Sequence, residues 1–167
     1  MKRYVKQSVE EGSSRFVILD EQGKESYRVT GRFTTAGSLL FLEDALEQTK
    51  AKIRQTNLLL AVRYAISVTG RSKSIFLTQS LPVAGATPIL HLSGVDWRFR
   101  GDLLQQNFDF VQVDGSLVFS HCKRWGEWGD CYEVNIELPQ WEIPSLCVSI
   151  CLDNMVPGTG GVVPVAN

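Results

Sequence analysis

The sequence predicts a mainly β protein wrapped around one hydrophobic helix, and three observations predict it. Most of the chain alternates apolar and polar residues with period two, the pattern of strands with one buried face. Turn-forming residues interrupt these runs at the spacing found in all-β sandwiches and barrels. Near the end, Ile143-Pro144-Ser145-Leu146-Cys147-Val148-Ser149-Ile150-Cys151-Leu152-Asp153 carries no charge before Asp153, and its only polar side chains before it are two serines. As a helix it is apolar on every side and must be buried all round. It is too short to cross a bilayer, which takes about 20 apolar residues. The β-branched Val148 and Ile150 leave a final central strand as the alternative.

The elements follow in order. Tyr4-Val5-Lys6-Gln7 and Phe16-Val17-Ile18-Leu19 open the chain as strands. Asp20-Glu21-Gln22-Gly23 turns into a strand that places Tyr27 and Val29 on one side and Arg28 and Thr30 on the other. Leu39-Leu40-Phe41-Leu42 leads through Glu43–Glu47, read as a hairpin loop with one helical turn as the alternative, to Lys50-Ala51-Lys52-Ile53-Arg54. Val62–Val68, Ile75–Leu77 and Asp96–Arg100 continue the alternation. Asp114-Gly115, between Phe108–Val113 and Leu117–Lys123, is the dipeptide favoured by a two-residue type I′ hairpin. Tyr132–Leu138 sets four apolar residues against Glu133, Asn135 and Glu137. The count is roughly a dozen strand candidates. Ser80–Pro88 reads as a loop within one domain. Pro139 and Pro144 then bracket the entry to the helix, with Pro144 in its first turn. The domain is assigned to residues 1–156 with the helix at about 143–155, followed by a flexible Gly-rich tail at 157–167.

Length and composition bound the function. A chain of 167 residues fits a single domain with a real core. A formal net charge of -1 lacks the basic footprint of a nucleic-acid binder, though it leaves room for a local basic patch. Met1-Lys2-Arg3 has no apolar run behind it, so no secretory signal and no transmembrane segment is expected, and a cytoplasmic location is. In that setting Cys122, Cys131, Cys147 and Cys151 are expected to be free, with Cys147 and Cys151 as small core hydrophobes.

Candidate chemistry is sparse. Lys50, Lys52 and Arg54 project from one face of a strand and can meet phosphates through charge-assisted hydrogen bonds, or simply form a solvated face. Arg98 and Arg100 form a second outward pair. His91 is assigned to the exterior and His121 to the interior, neither in a metal or nucleophile motif. Glu133 and Glu137 stand about 13 Å apart at strand rise, too far to share a proton. There is no P-loop, G-x-G-x-x-G or G-x-S-x-G motif, and no cofactor or metal is expected. Trp125 and Trp128, in a Gly-rich loop, are expected to fold over the open end of the β-structure, with a lipid interface or a partner surface as the alternative.

Taken in order, Tyr4–Gln7, Phe16–Gly23, Trp97-Arg98-Phe99-Arg100-Gly101-Asp102, Phe108-Asp109-Phe110 through Asp114-Gly115, Trp125 to Val134 and the apolar helix closing on Asp153 resemble the LURP-one-related family. The fold of that family is similar to the Tubby C-terminal domain and to phospholipid scramblases. The resemblance covers about residues 2 to 155, and Glu142 stands roughly where the family pattern has Asp ahead of the helix. It implies a closed antiparallel barrel of twelve strands threaded by the hydrophobic helix. Tubby-like domains bind phosphoinositide head groups through basic residues on the barrel surface. The function so implied is a non-enzymatic barrel binding phospholipid or phosphoinositide head groups at a membrane surface, and the strand alternation offers Lys50, Lys52, Arg54, Arg98 and Arg100 as candidate contacts. A soluble scaffold for a protein partner, contacted by Trp125 and Trp128, is the alternative, and an enzyme of unknown class is the next.

Overall fold

A computed structural model describes residues 1–7, 14–34, 37–80, 89–126 and 129–155. Chain order is β1 (Lys2–Gln7), β2 (Ser14–Leu19), β3 (Glu25–Thr34), β4 (Gly37–Asp44), β5 (Thr49–Leu58), β6 (Ala61–Val68), β7 (Ile75–Ser80), β8 (Leu90–Ser93), β9 (Trp97–Asp102), β10 (Asn107–Gln112), β11 (Leu117–Gly126), β12 (Gly129–Ile136), a 3-10 turn at Pro139–Trp141 and α1 (Glu142–Met155). The glycine-rich tail and most of the 80–88 loop lie outside the described residues.

The twelve strands form one antiparallel sheet in the order β8-β7-β6-β5-β4-β3-β2-β1-β12-β11-β10-β9. The first strand pairs with the last, with Tyr4 opposite Glu133 and Val5 opposite Tyr132, and Met1 and Ile136 exchange backbone hydrogen bonds of 2.8 Å. The sheet thus curls into a nearly closed barrel. Its seam lies between β8 and β9, which touch without a hydrogen-bonded ladder.

Because the strands simply alternate in direction, the six turns from odd to even strands share one rim and the turns from even to odd strands share the other. The helix runs between the rims. Its start lies beside Arg3 and Tyr27, and its end lies beside the β9–β10 turn.

The inward positions follow the period-two pattern. Leu40, Leu42, Ala51, Ile53, Tyr64, Ile66, Ile75 and Leu77 line one side with mostly aliphatic groups. The β9–β12 side is aromatic, with Trp97 packed edge-on against Phe119 and Trp141, and Phe110 stacked on Phe119 at 5.0 Å. Every residue of α1 from Pro144 to Asp153 is buried, as an all-round apolar segment requires. Leu138 departs from its expected inward place and is 42% exposed, because β12 stops at Ile136 and the chain leaves the wall for the 3-10 turn.

The Asp114-Gly115 turn also departs from expectation. Gly115 N–H donates to Gln112 O at 3.0 Å and Gln112 N–H to Ser116 O at 2.8 Å, so the loop has three residues, and Gly115 sits at φ 86. A bulge between Phe110 and Val111 supplies the extra residue, which a two-residue I′ turn cannot accommodate. The Asp20 turn has the same hydrogen-bond pattern, with Gly23 at φ 77. Glu43–Glu47 is a third such hairpin, where Asp44 Oδ1 accepts from the N–H groups of Leu46 and Gln48.

Candidate functional site

The alternation in β5 buries Ala51 and Ile53 and turns Lys50, Lys52 and Arg54 outward. The structure then separates the three. Lys50 Nζ lies 2.7 Å from Asp44 Oδ2 across the hairpin and 3.2 Å from Gln48 Oε1. The Lys50 side chain, with the Leu46 and Gln48 amides, holds the Asp44 carboxyl below the usual carboxylate range. Lys50 is therefore already neutralised. It also lines a cleft of about 440 Å³ at the rim beside the helix start, together with Arg3, Lys24, Asp20, Glu25 and Asp44. Three cations face three carboxylates there, so the cleft presents no net charge to a ligand.

Lys52 and Arg54 have no carboxylate partner among the described residues. Lys52 Nζ lies 5.9 Å from the Phe41 ring, and on β6 the exposed Arg63 sits 4.4 Å over the Phe76 ring. Register places Thr56 beside Arg63, and Thr78 beyond it opposite His91, which is exposed as its alternation implies. Between Gln48 and Val95 the sequence has six Lys and Arg and no Asp or Glu. The rest of the chain carries the other eleven cations against all eighteen carboxylates, a net of -7. A near-neutral protein is thus strongly polarised, and strands β5 to β8, four of the twelve, form its positive third.

Arg98 and Arg100 are exposed on β9, across the seam from those four strands. Arg100 is paired with Asp109 at 3.0 Å. They do not join Lys52 and Arg54 in one site.

Trp125 does not cover the barrel end. It is 83% exposed, because the β11–β12 ladder runs past the buried His121 to Gly126 opposite Gly129, carrying the hairpin arms beyond the core. Trp128 lies outside the described residues. The odd-to-even rim carries further exposed apolar groups. Leu58, Leu59 and Leu60 form the β5–β6 tip, Ile89 flanks β8, and Leu104 sits in the β9–β10 turn. Neither these tips nor Arg63 stands out when strands are read one at a time, although the acid-free stretch is countable in the sequence.

Inside the same end lies a polar network. His121 Nδ1 is 2.6 Å from Ser149 Oγ, and its ring is stacked between Phe108 at 4.4 Å and Tyr132 at 4.9 Å. Burial pushes His121 down to about 3, so it is neutral. Asp153 accepts from Gln106 Nε2 at 3.5 Å and is hydrogen-bonded to Tyr132. Burial pushes its carboxyl up to about 6, partly offset by Tyr132 and by Lys123. Cys131, Cys147 and Cys151 are buried and free, and desolvation raises each thiol above its ordinary range. Among the described residues no three His, Cys, Asp or Glu gather as a metal ion would need, and no helix is long and apolar enough to cross a membrane.

Fold and surface together define a nearly closed β-barrel plugged by its own helix, with one third of the wall, β5 to β8, carrying cations and no carboxylate. Residues 1–152 match the LURP-one-related family, and the chain belongs to it. It is 30% identical over 151 residues to the uncharacterized protein YxjI of Bacillus subtilis strain 168, covering 90% of each chain. A solved structure of a protein from Arabidopsis thaliana shares the fold, with a TM-score of 0.56 at 16% identity over 92% of this chain and 90% of that one.

Proposed function

We propose that this protein is a non-enzymatic binding module whose target is an anionic phospholipid surface on the cytoplasmic side of a membrane. The observation that carries the reading is the charge segregation: a third of the barrel wall without a carboxylate, on which Lys52, Arg54 and Arg63 make no ion pair among the described residues. A basic residue close to an anionic leaflet contributes about 1 kcal/mol, so three supply about 3 kcal/mol, roughly a hundredfold in partitioning. Arg presents a fork of donors that suits phosphate oxygens, and two of the three are Arg.

The test is vesicle pelleting with phosphatidylcholine alone or mixed with phosphatidylglycerol. Binding is expected only to the mixed vesicles, weakening as salt is raised. Replacing Lys52, Arg54 and Arg63 together by Ala is expected to lower it about a hundredfold. Lys50→Ala is expected to change it little, because Asp44 already neutralises that ammonium, and Arg98→Ala with Arg100→Ala likewise, because they face elsewhere. Equal pelleting with neutral and anionic vesicles, or a triple variant that binds as before, overturns the reading. Exposed Trp125 favours a protein partner as the second reading, and a partner that co-purifies with the protein but not with Trp125→Ala would establish it.

A further inference from the structure

We infer that the β5–β6 hairpin tip, Leu58-Leu59-Leu60 with Ile89 beside it, inserts into the interfacial layer of an anionic bilayer and seats the barrel hairpin-first. The inference rests on the anionic-surface reading and adds to it the element that enters the membrane and the orientation that follows.

The tip is anomalous as a turn. Leu58 pairs with Ala61, so the loop is two residues long, Leu59 and Leu60. Such loops favour Asn-Gly or another pair tolerant of positive φ, because primed turns match the strand twist. Here the pair is Leu-Leu, and neither residue has a positive φ. Leu59 is 93% exposed and Leu60 61% exposed, so no packing in the barrel explains the choice. A position that breaks local preference with no gain to the fold is where function is expected.

The tip is also not a solitary apolar residue of the kind every surface carries. Ala61 lies opposite Ser80, and Ser80 N–H donates to Ile89 O at 3.0 Å, so Ile89, 70% exposed, stands about two strand spacings (roughly 10 Å) away. No charged residue occurs among Gln55–Val62 or Ser74–Ser80, the segments between these groups and the nearest cations. An apolar edge rimmed by cations without an ion pair among the described residues complements an anionic interface, whose acyl boundary takes the leucines while its head groups take the guanidinium groups.

Strand geometry sets the depth of each cation. Arg63 is three residues above Leu60, about 10 Å along the strand, and Arg54 four above Leu58, about 13 Å. With the tip at the acyl boundary, their flexible stems bring both guanidinium groups down to the head-group layer, which is about 5–8 Å thick on each side. Lys52 stands about 20 Å up the strand and acts only through the screened field. Hairpin-first seating therefore ranks charge loss as Arg63→Ala and Arg54→Ala well above Lys52→Ala. A barrel lying flat on its basic wall weights all three alike.

Two measurements decide it. Replacing Leu59 by Asn and Leu60 by Gly lets the two-residue loop adopt the primed turn that suits the strand twist, so thermal stability is expected to hold or rise while partitioning to phosphatidylcholine–phosphatidylglycerol vesicles falls about tenfold or more. An environment-sensitive fluorophore on Leu59→Cys, in a Cys122→Ser background that removes the half-buried native thiol, is expected to shift to the blue on these vesicles and to be quenched by brominated lipid. The same label on Leu46→Cys, 77% exposed on the opposite rim, is expected to stay in water. Anionic binding with the Leu59 label still in water overturns insertion and leaves the basic-wall reading standing. A shift at Leu46 alone overturns it as well. No vesicle binding at all overturns both readings, and loss of a protein partner on Leu59→Glu would reassign the tip to that partner.

Discussion

Ile150→Asp is expected to abolish folding. Ile150 is fully buried in the middle of α1, with the barrel wall on every side. Losing its apolar burial costs about 3 kcal/mol, and an unpaired carboxylate in that place costs several more even after relaxation. The sum consumes most or all of the roughly 5–15 kcal/mol that holds a domain folded. Three residues on, Asp153 is also buried, yet Tyr132 and Gln106 hydrogen-bond to it. Along its own helix Ile150 has the apolar Leu146, Cys147 and Cys151 close by, and none of them can stabilise a carboxylate as Tyr132 and Gln106 do for Asp153. Ile150→Val, which removes one methylene, is expected to cost about 1 kcal/mol and to melt cooperatively. Circular dichroism and urea denaturation of both variants check this. A soluble, cooperatively melting Ile150→Asp protein would show that the helix is peripheral to the fold.

The same helix shows what could be read from the chain. Its all-round apolar character needs no partner to be recognised, and neither does the alternation of Lys50–Arg54 or of Tyr132–Ile136, because both are written in local periodicity. Strand order and seam depend on closure between distant segments. The hairpin at Asp114-Gly115 differs from the two-residue turn its dipeptide favours because the bulge opposite Phe110 and Val111 is a property of the pairing and not of the dipeptide. The exposure of Trp125 is not written locally because it depends on how far a ladder overruns the core. Lys50 could be placed on a strand face, but its neutralisation by Asp44 needed the turn geometry that the Asp44 carboxylate itself creates. Gln106, Tyr132 and Asp153 meet only once β10, β11 and β12 have packed around α1. The acid-free stretch from Gln48 to Val95 was open to counting, but it becomes a surface only when β5 to β8 are known to be neighbours.

Between pH 4 and 6 the stability of the wild-type protein is expected to change little through Asp153 and His121, because their contributions oppose each other. Asp153 titrates near 6 when folded against 3.8 ordinarily. Its raised pKa means stability that is present below 3.8 and lost as pH rises through about 6, a loss of about 3 kcal/mol. His121 titrates near 3 against 6.5. Its depressed pKa means stability that is present above 6.5 and lost as pH falls toward 3, about 5 kcal/mol over the full range. From pH 4 to 6 the two slopes are opposite in sign and each reaches at most about 1.4 kcal/mol per pH unit. The half-buried Asp44 and the exposed Asp114, both held below their ordinary range, act beneath this window. Asp153→Asn removes one slope, so its stability is expected to climb with pH across the window. At neutral pH it should exceed the wild type by up to about 3 kcal/mol, provided the amide keeps the contacts to Gln106 and Tyr132. His121→Asn removes the other slope and is expected to be less stable overall, through the lost stacking between Phe108 and Tyr132, with stability falling as pH rises from 4 to 6. Urea midpoints for the three proteins at a series of pH values read these slopes directly. Parallel curves for the wild type and Asp153→Asn would mean that the Asp153 carboxyl is ionised in the folded state throughout the window, with Tyr132, Gln106 and Lys123 holding its charge despite burial.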